Sequence, residues 1–274
     1  MGRNRRVLPG FSLILGYTVL YLSLLGLIPL AACFLKAASL TPAKFWEAVW
    51  SERAVAAYTF TLKSALISSV ISVFLGLVIA WVLVRYEFPL KRVFDALVDL
   101  PFALPTAVAG LVYASLYVEQ GWLGQFLVPL GIKAAYTPLA VILVLTFLGI
   151  PFVVRTLQPV LESLEADTEE AAFLLGATRW QTFWRVVLPV LMPALVTGFA
   201  LSVARALGEY GSVVFVSGNM PFRTEIAAVL IVARLEEFAY AEATAIAVVL
   251  LVMSFTMLIL INLLERWSSR FSVQ

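Results

Sequence analysis

The sequence predicts an all-helical integral membrane protein that crosses the bilayer six times. Two observations carry this. First, 62% of the 274 residues are hydrophobic and 13% are charged, against roughly 45–50% and about 25% in soluble domains. With a mean hydropathy of +0.98, such a chain cannot clothe a core in a water-facing surface, so its solvent is largely lipid. Second, six runs carry no charge: Val7–Leu35, Ser64–Val84, Leu100–Val118, Ala134–Val154, Val186–Ala204 and Ala243–Leu264. The shortest has 19 residues, and at 1.5 Å per residue a helix of that length spans roughly 30 Å of hydrocarbon. Unpaired backbone groups in lipid cost several kcal/mol each, and barrel strands would alternate in polarity, so these runs read as helices. Residues 1–274 read as one transmembrane domain with a core at about 59–265.

The runs are justified in order. The first follows Arg3, Arg5 and Arg6, and Leu30-Ala31-Ala32-Cys33 resembles a lipoprotein cleavage box. Its 29 residues exceed the about 7–15 of a signal core, so a retained helix is expected. Trp81, Trp122 and Trp267 stand at run ends, where aromatic belts form. In the third run Pro101, Pro105 and Gly110 break or loosen the helix, and Asp99 is expected to cap its start; bent membrane helices often line a route, so Thr106 and Ser115 are candidate hydroxyls for a route or gate. Just past the fifth run, Arg205 and Glu209 are the only charges embedded in a spanning segment, at i,i+4 on one face. They either line the route or a gate for an anion, or form a fixed pair that tightens the helix. Mutual satisfaction at i,i+4 favours the fixed pair. Asn219, Arg223 and Thr224 follow in a segment read as a solvated loop rather than a partner contact.

Basic residues orient the chain. With the N-terminus cytoplasmic, the inner segments hold eleven: Arg3, Arg5, Arg6, Arg85, Lys91, Arg92, Arg155, Arg179, Arg185, Arg266 and Arg270. The outer segments hold seven: Lys36, Lys44, Arg53, Lys63, Lys133, Arg223 and Arg234. Both termini are therefore expected in the cytoplasm.

Composition also bounds the chemistry. Histidine is absent, Cys33 is the single cysteine, and no Gly-Lys pair occurs, so the phosphate loop GxxxxGK[ST] is missing. The net charge of +2 gives no reason to expect nucleic acid. No catalytic residue, metal site or bound cofactor is expected in this chain.

The informative segment is the inner loop at 156–187. Asp167 followed by Glu170 has capping-box spacing, Gly176 is a left-handed stop, and Thr178 followed by Gln181 repeats the box. The expectation is helix, glycine elbow, helix. Phe173, Leu174, Leu175, Trp180, Phe183 and Trp184 crowd it with apolar groups, which either pack on the protein's own helix ends, rest on the membrane surface or dock a partner.

Glu170-Ala171-Ala172, three residues, Gly176, nine residues and Val186-Val187-Leu188-Pro189 resemble the EAA loop of the permease subunits of bacterial binding-protein-dependent ABC importers, with Val186 in place of isoleucine. The resemblance implies a type I ABC importer permease fold. It also implies that Glu170, Ala171, Ala172, Phe173, Gly176, Arg179 and Trp180 couple to a separate ATPase, which uses ATP and magnesium.

Further stretches narrow the likeness to T-type permeases of sulfate/thiosulfate importers. They are Arg6 to Phe11, Asp99 to Leu111, Ile150 to Pro159, Ala204 to Gly211 and Arg234 to Phe238. The implied partners are a second, W-type permease, two ATPase subunits, a periplasmic sulfate- or thiosulfate-binding protein and membrane lipid. Import of molybdate, tungstate or another oxyanion, an ATPase-independent secondary transporter, and a membrane scaffold are the rival readings.

Overall fold

The computed structural model describes residues 11–164 and 166–269. Arg3, Arg5, Arg6 and Arg270, which helped to orient the chain, and the first residues of the Arg6 to Phe11 stretch lie outside the described residues. Five helices are long and apolar enough to cross a membrane. They are α1 (Leu13–Ala37), α3 (Glu52–Arg85), α7 (Pro138–Ser163), α9 (Arg179–Leu207) and the apolar part Tyr240–Leu263 of α12 (Tyr240–Ser269). Between them lie α2 (Pro42–Val49), α4 (Lys91–Val98), α5 (Leu100–Ala103), α6 (Thr106–Tyr117), α8 (Ala166–Leu174), α10 (Val213–Val216) and α11 (Ala227–Glu236). No strand occurs among the described residues.

The third charge-free run breaks as its prolines predict, but the helix left after the break is shorter than a full span. Leu104 and Pro105 are both extended, at ψ 132°, so the helix stops after Ala103 and restarts at Thr106. Proline biases the residue before it away from the helical region, which explains the break at Leu104. The remaining α6 has 12 residues, about 18 Å of rise, short of a hydrocarbon core. It lies against the segment after α9: a Cβ on Gly110 would stand 2.8 Å from Ser212 Cα.

The centre of the molecule is a bundle of α3, α7 and α9. Lipid tails are as apolar as leucine, so membrane helices associate by close approach of small residues and by hydrogen bonds between helices. Helix α3 supplies both. Its buried face repeats small residues at Ala57, Thr61, Ala65, Ser68, Ser72, Gly76 and Ala80. Ser72 Oγ donates to Thr146 O on α7 at 3.0 Å. A Cβ on Gly76 would meet Val153 at 2.7 Å, so only glycine admits this approach. Val153, Val154, Leu157 and Leu161 of α7 complete the core with Leu191 and Leu195 of α9.

At the other end of α3, Arg53 forks onto Glu225 at 2.8 and 2.7 Å, and Glu225 is 3% exposed. Asn219 and Thr224 turn inward: Asn219 Nδ2 donates to Val214 O, and Met220 N donates to Thr224 Oγ1. They shape their own turn, while Arg223 stays exposed.

Candidate functional site

The loop after α7 forms the expected helix, elbow and helix. Helix α8 starts at Ala166, which places Asp167 inside its first turn rather than at the cap. It ends in a Schellman arrangement: Ala177 N donates to Ala172 O at 3.0 Å and Gly176 N to Phe173 O at 2.9 Å. Gly176 holds φ +84°, a conformation that costs other L-residues energy. The next helix opens with a complete capping box, in which Thr178 Oγ1 accepts from Gln181 N and Gln181 Oε1 accepts from Thr178 N.

Electrostatics and rings anchor this elbow to the bundle. Arg85, the last residue of α3, pairs with Glu169 and lies over the Trp81 ring at 5.4 Å. Trp81 in turn meets Phe183 edge-on at 5.7 Å. The anchoring acid is therefore Glu169; Glu170 is exposed and makes no ion pair among the described residues. A cavity of about 390 Å³ remains between loop and bundle, lined by Arg85, Glu169, Phe173, Arg179 and Phe183.

Much of the elbow is nonetheless exposed. Phe173, Leu174, Leu175 and Trp180 are 69, 85, 90 and 68% exposed, and Ala171 and Arg179 are exposed beside them. Phe183 packs at home, whereas the two leucines at the tip have no cover among the described residues. A rigid elbow that presents apolar side chains outward is shaped to be covered by another surface.

Arg205 and Glu209 also meet. Arg205 pairs with Glu209, whose carboxylate is 2% exposed and also accepts from Ser212 N and Ser212 Oγ, both at 2.8 Å. Thr106 is nearby, packed against Gly211. Ser115 is apart from them, exposed, with its hydroxyl returned to Val112 O. Three of the four residues weighed for a route or gate thus brace the junction of α6 with the end of α9.

Asp99 corrects its sequence reading. It makes no side-chain cap bond to the helix that follows. Instead its two oxygens accept from Arg155 Nε at 2.8 Å and Nη2 at 2.6 Å. Arg155 Nη1 reaches Asp95 Oδ1 at 2.6 Å and Nη2 reaches Asp95 O at 2.9 Å. The Gln158 amide, with Arg155 beside it, holds the Asp95 carboxyl below the usual carboxylate range. From the sequence, Arg155 served for orientation and within the Ile150 to Pro159 resemblance, with no partner assigned to it. Its place just past a charge-free run, between Pro151 and Pro159, is the available hint.

Residues 72–271 match the family described as "Binding-protein-dependent transport system inner membrane component". The chain is 50% identical over 262 residues to the sulfate transport system permease protein CysT of Escherichia coli K12, covering 96% of this chain and 95% of that protein. It is 49% identical over 255 residues to the CysT protein of a Synechocystis strain, covering 93% and 89%. Among solved structures, a bacterial ABC transporter involved in import of the acidic polysaccharide alginate superposes with TM-score 0.74 at 19% identity, over 93% of this chain and 94% of that one. The inward-facing MetNI methionine ABC transporter superposes with TM-score 0.58 at 19% identity, over 84% and 99%. These structural likenesses establish the fold. With the elbow, the five long helices and the family match in agreement, the chain belongs to the inner-membrane components of binding-protein-dependent transport systems.

Proposed function

We propose that this chain is the T-type permease of an ATP-driven sulfate/thiosulfate importer, working by alternating access and coupled to its ATPase through the 156–187 loop. The cargo rests on the likeness to sulfate permeases along nearly the whole chain. The coupling role rests on one observation: the Gly176 elbow is fixed to α3 by Glu169 and Arg85 yet leaves Leu174 and Leu175 uncovered.

In this reading Phe173, Leu174, Leu175 and Trp180 enter a cleft of the ATPase, and Ala171 and Ala172 allow the helix to lie close. Glu170 and Arg179 supply charge at the edge of that contact. Closure of two ATPase subunits pushes the elbow, and the Arg85–Glu169 tie carries the push to the end of α3. Arg205 and Glu209 brace the α6 junction instead of binding the anion, because the Arg205 cation is already paired with the buried Glu209 carboxylate, which Ser212 N and Oγ hold in place. The loop and both termini face the cytoplasm. A W-type permease completes the route, and a periplasmic binding protein delivers the anion. ATP and magnesium belong to the ATPase partner.

The test is uptake of radiolabelled sulfate in cells that lack their own sulfate importers and express this chain with its companions. Uptake blocked by excess thiosulfate, with molybdate inert, is the expected result. ATPase-dependent molybdate uptake without sulfate uptake would keep the machine and replace its cargo.

A further inference from the structure

Helix α7 is the element that runs from the core of the bundle to the loop, and the turn carrying Arg155 is unusual. Pro151 and Pro159 flank it inside a continuous helix. A proline has no N–H for the carbonyl four residues earlier, so Pro151 deprives Phe147 of its helical donor and Pro159 deprives Arg155 itself. Helices bend at such points. The guanidinium therefore sits between two points at which α7 can bend.

Across from it, α4 and α5 have two fastenings to α7. One is apolar: Val98 of α4 is buried in one cluster with Val153, Val154 and Leu157 of α7, and Phe102 meets Phe152 edge-on at 5.0 Å. The other is the Arg155 fork on Asp95 and Asp99, backed by Gln158 Nε2 on Asp95 at 3.0 Å. Asp99 stands at the start of α5 yet caps nothing. Its carboxylate is committed to a residue 56 positions away, although local capping was open to it. Past the Leu104–Pro105 break the same segment becomes α6, which is seated tightly on Ser212 through Gly110. The chain leaves α7 into the loop, Arg155 ties α7 across to α4 and α5, and the chain continues from α5 into α6.

We infer that Arg155 is a positioning residue for transport: it fastens the 91–103 segment to α7 so that movement of the loop is delivered to the broken helix α6. Arginine suits the task because its planar fork grips two carboxylates and resists rotation, whereas a lysine would act as a point charge. The fork fixes angle as well as distance, which a lever needs when the helix on one side of it bends. This inference rests on the coupling reading of the loop.

The test uses the complete importer in proteoliposomes, with its binding protein and ATP, and reads sulfate uptake per ATP hydrolysed. Arg155→Ala and Arg155→Lys should both assemble and hydrolyse ATP, with uptake per ATP reduced between about twofold and about 30-fold. A short thiol cross-link between Phe102→Cys and Phe152→Cys, in a Cys33→Ser background, should restore uptake per ATP to Arg155→Ala. A merely stabilising contact would not change that ratio.

Wild-type uptake per ATP in Arg155→Ala would overturn the inference. Loss of transport on cross-linking a chain that keeps Arg155 would also overturn it, since the segment would then have to leave α7. If uncross-linked Arg155→Ala fails to assemble, the cross-linked form decides: restored assembly without restored coupling counts against the inference. Gly176→Pro, run in parallel, separates the two levels. If it uncouples transport while Arg155→Ala does not, the lever falls and the loop reading stands. Normal coupling in Gly176→Pro removes the loop reading itself.

Discussion

Substitution at Gly176 gives a graded test of the elbow. The residue holds φ +84°, and a Cβ placed there would meet no atom within 4 Å. Any penalty for a small side chain is therefore backbone strain alone, with no steric part. Asparagine visits the left-handed region with little cost, alanine pays roughly 1–2 kcal/mol, and proline is incompatible, since it locks φ near −65°. Proline also deletes the N–H that donates to Phe173 O at 2.9 Å, for a total of about 3 kcal/mol or more. If the elbow must be formed to take the push, about 1.4 kcal/mol is a tenfold loss of the competent shape. Uptake should then fall in the order Asn, Ala, Pro. Gly176→Asn should stay within about twofold of wild type, Gly176→Ala should lose roughly 5–30-fold, and Gly176→Pro should be inactive. Thermal unfolding of the membrane bundle should not change, because the elbow is exposed. Equal uptake in the asparagine and alanine variants, or wild-type uptake in the proline variant, would refute the reasoning.

Other substitutions separate docking, bracing and packing. Leu174→Ser with Leu175→Ser should shift stability by no more than about 0.5 kcal/mol, as exposed sites do, while co-purification of the ATPase is lost. Retention of the ATPase would remove these leucines from the contact. Arg205→Ala leaves the buried Glu209 without its cation and should cost about 3–5 kcal/mol, read as a lower unfolding temperature. Adding Glu209→Met should recover part of the loss but not all, because Ser212 N and Oγ then lose their acceptor; full recovery of stability would contradict the bracing role. Gly76→Val should prevent normal packing of α3 on α7 at a cost of about 1–3 kcal/mol or more. A thermal melt unchanged from wild type would show that the 2.7 Å approach to Val153 is not required.

Local signals were legible in the sequence, and distant ones were not. Long charge-free runs identify the spanning helices because the constraint acts on every residue of a run. The Thr178–Gln181 box and the Gly176 elbow are legible because each involves residues within one turn or one φ angle. The third run is legible in part: Pro105 signals the break, but the continuous hydropathy hides that the 12 residues left after it are too short to span. Asp99 reads as a cap from its neighbours, and only folding brings Arg155 to it. Arg53 and Glu225, 172 positions apart, carry no sequence signal of their pairing. Glu169 and Glu170 are adjacent and chemically alike, and the rotation of α8 alone decides that the former meets Arg85.

The central claim is that an ATP-driven push on the loop moves sulfate through this chain. The direct measurement is sulfate uptake by proteoliposomes holding this chain, its companion permease, the ATPase and the binding protein, with each component and then ATP omitted in turn. Uptake is expected only when all are present and ATP is hydrolysable. Uptake that persists without the ATPase would contradict it and make the chain a secondary transporter.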